Sequence, residues 1–175
     1  DYLIPRAAWD DLKQALIATG DPAAVDAAAL PTPDAPLAAM RPLIDRHFGG
    51  ASLVAIGNSL THLRDPDAAE AAFASDTLAA MARNSPLAMT CAVEIIRRIR
   101  QRPEIRNALE QEYRFTSRSM EHGDFIEGIR AAIIDRDRNP RWRHTGWDAV
   151  SGGDAIKMTL PLGKDALTFV EETNA

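Results

Sequence analysis

Cysteine is nearly missing from this 175-residue sequence. Cys91 stands alone, so no internal disulfide can form, and a reducing compartment fits the chain best. Lysine is scarce as well, at Lys13, Lys157 and Lys164, and the aromatics do not interleave with the arginines, which argues against a nucleic-acid partner. No apolar run approaches the roughly 20 residues that span a bilayer, so no membrane partner is expected. A glycine-rich phosphate loop and a G-x-S-x-G nucleophile elbow are both lacking, although Ser-His-Asp chemistry assembled across the fold stays open. The four histidines, His47, His62, His122 and His144, never fall at metal-ligand spacing, and no metal site is expected.

What is present is the composition of a globular domain, 46% hydrophobic and 26% charged. Its net charge of −5 is unevenly spread. Residues 1–82 carry 11 acidic and 5 basic side chains, residues 83–143 carry 9 and 13, and residues 144–175 carry 5 and 2. Two readings of the basic centre stay open: a surface for an anionic ligand such as a nucleotide phosphate, or a solvated helix pair laced with ion pairs.

The apolar spacing is helical almost throughout. It predicts helices at about 6–19, 22–29, 37–48, 52–63, 66–83, 86–101, 103–121 and 124–134, with a short one near 152–158. Asp21-Pro22, Asp65-Pro66 and Ser85-Pro86 each offer a side-chain acceptor at the N-cap and proline at the first helical position. Three prolines between 31 and 36 mark a loop, and Gly49-Gly50 and Gly152-Gly153 mark breaks. In 86–101 the expected core stripe is Met89, Ala92, Val93, Ile96 and Ile99; in 103–121 it is Ile105, Ala108, Leu109, Glu112 or Tyr113, Thr116 and Met120. Cys91 lies mid-helix and reads as a small buried hydrophobe. The opening D-Y-L-I-P at 1–5 reads as the end of a strand leaving a sheet, so a start inside a fold is expected, with trimming of a tag as the alternative.

Two acidic clusters invite a chemical reading. Asp124 and Glu127 are spaced for a capping box, with Phe125 packed inward and Gly128 admitting a close neighbour. The alternating charges of D-R-D-R-N-P-R-W at 135–142 suit ion pairs that knit a loop to its helix, and they also suit guanidinium groups presented to phosphate. From the residues alone, the chain is an α-helical domain with no visible reaction centre.

The order of short patterns over 84–142 adds to this. The stretch runs N-S-P-L at 84–87, L-E-Q-E-Y-R at 109–114, Met120, H-G-D-F-I-E-G-I-R-A at 122–131 and I-D-R-D-R-N-P-R-W at 134–142. This succession resembles the C-terminal region of 3-hydroxyisobutyryl-CoA hydrolases, a branch of the crotonase (enoyl-CoA hydratase/isomerase) superfamily. The resemblance implies a mainly α chain, the C-terminal helical portion of an α/β crotonase fold with a ββα spiral core. Residues 1–5 would end the core strand, 6–83 form variable helices, 84–143 the signature helices and 144–175 the tail. The implied activity is hydrolysis of a 3-hydroxyacyl-CoA thioester in valine breakdown, in cytoplasm or mitochondrial matrix. CoA arrives as part of the substrate, with no prosthetic group.

In that family the oxyanion hole and acidic side chains lie in the spiral core, upstream of the position matching Asp1. The resemblance therefore carries no catalytic residue onto this chain, which alone is expected to be inactive. The expected partners are an acyl-CoA, the crotonase core and a second copy of the chain. In the hydratase branch, a phenylalanine and a lysine that reach CoA would align with Ala132 and Asp135. Neither can do that work, which favours the hydrolase branch and leaves Arg136 or Arg138 as the candidate contact to a CoA phosphate. Enoyl-CoA hydration or isomerisation by the same fold, and a free-standing helical interaction module without catalysis, are the other readings. The fragment reading expects an apolar face exposed where the spiral would pack.

Overall fold

The computed structural model describes residues 2–169, so Asp1 and the last six residues of the expected tail lie outside the described residues. The chain divides into two compact units, one ending at Pro42 and one beginning at Leu43.

The first unit is tied together by local bonds. Residues 2–5 do not form a strand; Leu3 makes one isolated antiparallel bridge with Leu30, whose N–H donates to the Leu3 carbonyl at 2.9 Å. The Trp9 indole donates to the Ile4 carbonyl at 3.2 Å. A 3-10 turn (Arg6–Ala8) leads into α1 (Trp9–Thr19), which closes on Gly20 at φ +66°, a left-handed position that suits glycine. Before α2 (Ala23–Ala28) the N-cap is Pro22 and not the expected Asp21, although the Asp21 side chain still accepts the Ala23 N–H at 2.9 Å. None of the described residues up to Pro42 is buried. Leu3, Trp9, Ile17 and Leu30 are all exposed, so this unit has no core of its own. The boundary after Pro42 falls inside α3 (Pro36–Phe48).

The second unit continues with α4 (Leu53–Thr61), α5 (Ala68–Arg83), α6 (Pro86–Gln101), α7 (Ile105–Ser119), α8 (Phe125–Ile129), one π turn (Arg130–Ile134) and α9 (Gly152–Thr159). Helix α6 is its axis and packs on α4, α7 and α9. It buries two flanks. One meets the cluster of Leu53, Ile56, Leu60, Ala74 and Met81 through Met89 and Val93. The other holds Leu87 and Cys91 against Val150, Ala155 and Met158, with Phe115 alongside. Full burial of a side chain such as Leu60 stabilises by about 2 kcal/mol.

The expected stripe on α6 is therefore only half right. Ala92 and Ile96 are exposed, and Leu87, Cys91 and Ile95, four residues apart, form the more deeply buried line. On α7 the expected stripe faces outward: Ile105, Leu109, Tyr113 and Met120 are exposed, and Gln111 and Ser119 are buried instead. The cause is a polar seam. The half-buried Arg98 donates to the Gln111 side-chain oxygen at 3.3 Å and to the Thr159 hydroxyl at 2.7 Å, which draws both acceptors inward.

The caps follow local chemistry. Ser85 caps α6 as expected, its Oγ accepting the Ala88 N–H at 3.1 Å. On α5 the cap is Asp67, which accepts the Glu70 N–H at 2.7 Å, and not the expected Asp65, which lies two residues earlier at φ +46°. Before α4, His47 is buried between Ser59 (2.9 Å) and Glu70 (3.1 Å), and Glu70 also takes Arg46 at 2.7 Å.

Two outcomes follow. Cys91 has no exposed surface, and burial pushes its thiol up to about 12. It will resist thiol reagents at pH 8 in the native chain and react on unfolding, as mass spectrometry with and without denaturant will read. At Gly57 in α4, an added Cβ would meet three Trp147 ring atoms at 2.7 Å. Alanine in an open helix would add about 1 kcal/mol over glycine, but the clash costs about 1–3 kcal/mol. Gly57→Ala will therefore lower the stability read by urea denaturation.

Candidate functional site

Asp124 is buried at the start of α8, and its carboxylate joins three separate segments. One oxygen accepts the Ser85 hydroxyl at 2.5 Å and the other the Arg143 N–H at 3.0 Å. The capping box expected of Asp124 and Glu127 does not form, because both carboxylates are bound elsewhere. Phe125, expected inside, is 51% exposed. Gly128 does admit a neighbour, since the Trp142 indole lies 3.6 Å from where its Cβ would be.

Around this junction runs an apolar groove of about 530 Å³. Leu87, Phe115, Met120, Phe125, Ile129 and Ile133 line it, with Trp142 as a further wall and Asp124 and Ser85 among its few polar members. Met120, Phe125 and Ile133 are exposed, and Ile126 and Ile134 beside them are exposed as well. An apolar face of this kind is suited to an apolar ligand or a covering protein surface. It is the face that the expected core stripe of α7 and the signature helix together present.

Beyond Ile129 the helix widens into the π turn, at whose end the Asp135 N–H reaches back to the Arg130 carbonyl at 2.8 Å. The loop that follows hangs on one side chain. Arg130 forks onto Glu127 at 2.8 and 3.0 Å, donates to Asp135 and to Asp137 at 2.7 Å each, and donates to the Asn139 carbonyl at 3.0 Å. All five guanidinium N–H groups are thus engaged, which leaves Arg130 none for a ligand. The Arg130 guanidinium and then the Arg141 N–H, at 2.6 Å, pull the Glu127 carboxyl down to about 2. Asp137 is held low by Arg130 first and by the Asn139 N–H second.

The charged loop is therefore a structural knot, with the acids serving Arg130 and not their neighbouring arginines. Arg136 and Arg138, the candidates for phosphate, sit exposed on it at φ +57° and +52°. Arg136 donates only to the Ile133 carbonyl at 3.3 Å, and the Arg138 N–H is held by the Ala131 carbonyl at 3.0 Å. Among the described residues neither guanidinium has an ion pair, and neither lines the groove. Arg130 escaped the sequence reading; the signal was there in Glu127 three positions before it and acids five and seven positions after. No group of His, Cys, Asp and Glu that could hold a metal occurs among the described residues.

Residues 1–158 match the family model described as enoyl-CoA hydratase/isomerase. This chain belongs to the enoyl-CoA hydratase/isomerase family. A relative within reach of this family member is the mitochondrial 3-hydroxyisobutyryl-CoA hydrolase of Dictyostelium discoideum, 31% identical over 99 residues, which are 57% of this chain and 25% of that protein. Among solved structures, an enoyl-CoA hydratase from Rhodobacter sphaeroides 2.4.1 is 43% identical with a TM-score of 0.76, covering 95% of this chain and 46% of that one. A carnitinyl-CoA dehydratase from Mycobacterium thermoresistibile is 32% identical with a TM-score of 0.82, covering 98% and 47%. The family member in hand thus spans about a quarter of its curated relative and under half of either solved chain.

The Glu127 contacts set an acid limit on this region. A carboxyl whose folded value is about 2 and whose ordinary value is 4.5 stabilises the loop fully above pH 4.5 and ceases to do so as pH falls through 2. Exchange protection of the Arg141 amide will persist at pH 4 and fade toward pH 2. Arg130→Met will abolish that protection near neutrality, as hydrogen-exchange NMR will show.

Proposed function

We propose that this chain is part of an acyl-CoA thioester hydrolase that acts on 3-hydroxyisobutyryl-CoA in valine catabolism. In this reading water adds to the thioester carbonyl, and collapse of the tetrahedral adduct releases 3-hydroxyisobutyrate and the CoA thiol. The segment contributes the helices that cover the substrate region, and the groups that stabilise the oxyanion and direct the water come from the crotonase core. The observation that carries the reading is the kinship with a protein named 3-hydroxyisobutyryl-CoA hydrolase, in a chain of this family. The exposed apolar face of α7, α8 and the π turn supports a covering role, since such a surface excludes water from whatever it lies against.

Arg136 and Arg138 carry the contact to CoA phosphate in this proposal. Their guanidinium groups face no carboxylate among the described residues, so their donors are free for an anion. The partners are the crotonase core and a second copy, and the compartment is the cytoplasm or the mitochondrial matrix. No described helix is long and apolar enough to cross a membrane.

Likeness at 43% identity to a protein named enoyl-CoA hydratase favours a second reading, hydration of an enoyl-CoA by the same scaffold. The two separate by product. With 3-hydroxyisobutyryl-CoA, the intact protein is expected to release free CoA, read with a thiol reagent, and this chain alone is expected to release none. No release by the intact protein, with loss of ultraviolet absorbance from an enoyl-CoA instead, replaces the hydrolase by the hydratase. Release by this chain alone relocates the reaction centre into it.

A further inference from the structure

Apart from the groove, the second unit holds a cleft of about 450 Å³ between the end of α7, the 143–144 segment and α9. Its floor is apolar, from Leu87, Met158 and Leu160. Its walls carry five basic side chains, Arg118, His122, Arg143, His144 and Lys157, against one acid, Asp154.

Part of this charge is already in use. Arg118 donates to the carbonyls of Arg114, Met158 and Pro161, and Arg143 to that of Glu121. Those bonds fix the guanidinium planes while leaving both groups ionised. Asp154 is occupied as well: it accepts the Ser151 hydroxyl at 2.6 Å and the Ser151 N–H at 3.3 Å in the capping box of α9. The remaining donors are unfilled. Lys157 Nζ stands 3.8 Å and His144 Nε2 3.7 Å from Asp154, and His122 Nε2 stands 3.8 Å from Glu121, all beyond hydrogen-bond length. The other ring nitrogen of His144, Nδ1, is buried without a partner, so the imidazole makes no hydrogen bond at all.

We propose that this cleft binds the phosphate or pyrophosphate group of a small molecule, at a site separate from the apolar groove. Arg118, Arg143 and Lys157 exceed the single carboxylate by two charges even with both histidines neutral. The held guanidinium planes supply the fixed geometry that phosphate oxygens require. Lys157, His122 and His144 supply the free donors, and the apolar floor seats the group that carries the phosphate. The proposal does not depend on the thioester reading, because it rests on the cleft alone.

The test is isothermal titration of the full 175-residue chain with inorganic pyrophosphate at constant ionic strength. Saturable binding with one site per chain is expected. Lys157→Glu, at a side chain 78% exposed, should weaken binding by about tenfold while the far-ultraviolet circular dichroism of the chain stays that of the parent. His144→Gln should weaken it too, and Arg100→Glu, on the exposed end of α6 outside the cleft, should not. Displacement of pyrophosphate by CoA would identify the phosphate as the coenzyme's own, and failure to displace it a separate phosphorylated ligand; both sustain the site. No saturable heat, binding indifferent to Lys157→Glu and His144→Gln, or equal loss with Arg100→Glu would overturn it.

Discussion

A single buried carboxylate sets the relation of the last third of the chain to its helical axis. Asp124 holds the N-cap of α6 through Ser85 and the incoming chain through the Arg143 N–H. A polar group this buried needs its donors, because leaving it unpaired costs several kcal/mol. The groove, the Trp142 wall over Gly128 and the approach to Trp147 are all placed by those two bonds. The segment after Arg143 then delivers Trp147 to α4 and Val150 to the core shared by α6 and α9.

The second unit sets polar side chains beside its apolar clusters and leaves several apolar ones outside. Its interior admits Arg98, Gln111, Thr159, His47 and Asp124, each satisfied by a specific partner. Its surface keeps Ile105, Ile126, Ile133 and Ile134 in solvent. Polar seams of this kind define one arrangement of helices, because only one register satisfies every donor. The apolar side chains left outside gather on α7, α8 and the π turn.

The helices were legible because their signals are local. Proline at the first helical position, a side-chain cap and spacing of three and four fixed α6 within its observed bounds and most others to within two or three residues. The faces were less legible. Leu87, Cys91 and Ile95 are as regularly spaced as Met89, Val93 and Ile96, so periodicity alone could not rank the two lines on a helix buried along both flanks. On α7 the apolar line was identified correctly but its destination was not, since Gln111 is buried for the sake of Arg98, a residue thirteen positions away. Asp124 and Glu127 had the spacing of a capping box, but distant donors, Ser85, Arg141 and Arg143, outcompeted the local N–H groups. The charged loop was expected to hold itself to the helix by ion pairs, and it does, through an arginine that the alternating pattern did not single out.

The saturation of Arg130 makes the loop a ruler. Its acceptors lie three, five, seven and nine positions away along the chain, and each occupies a different direction around one rigid plane. A residue added or removed between 135 and 139 would move at least one acceptor off that plane, while the side chains at 136 and 138 take no part in it. The loop is thus bound in length by Arg130, and at 136 and 138 it is bound to residue types that accept a left-handed backbone. A shorter or longer loop would loosen Arg130, whereas a changed side chain at 136 or 138 would leave its five contacts in place.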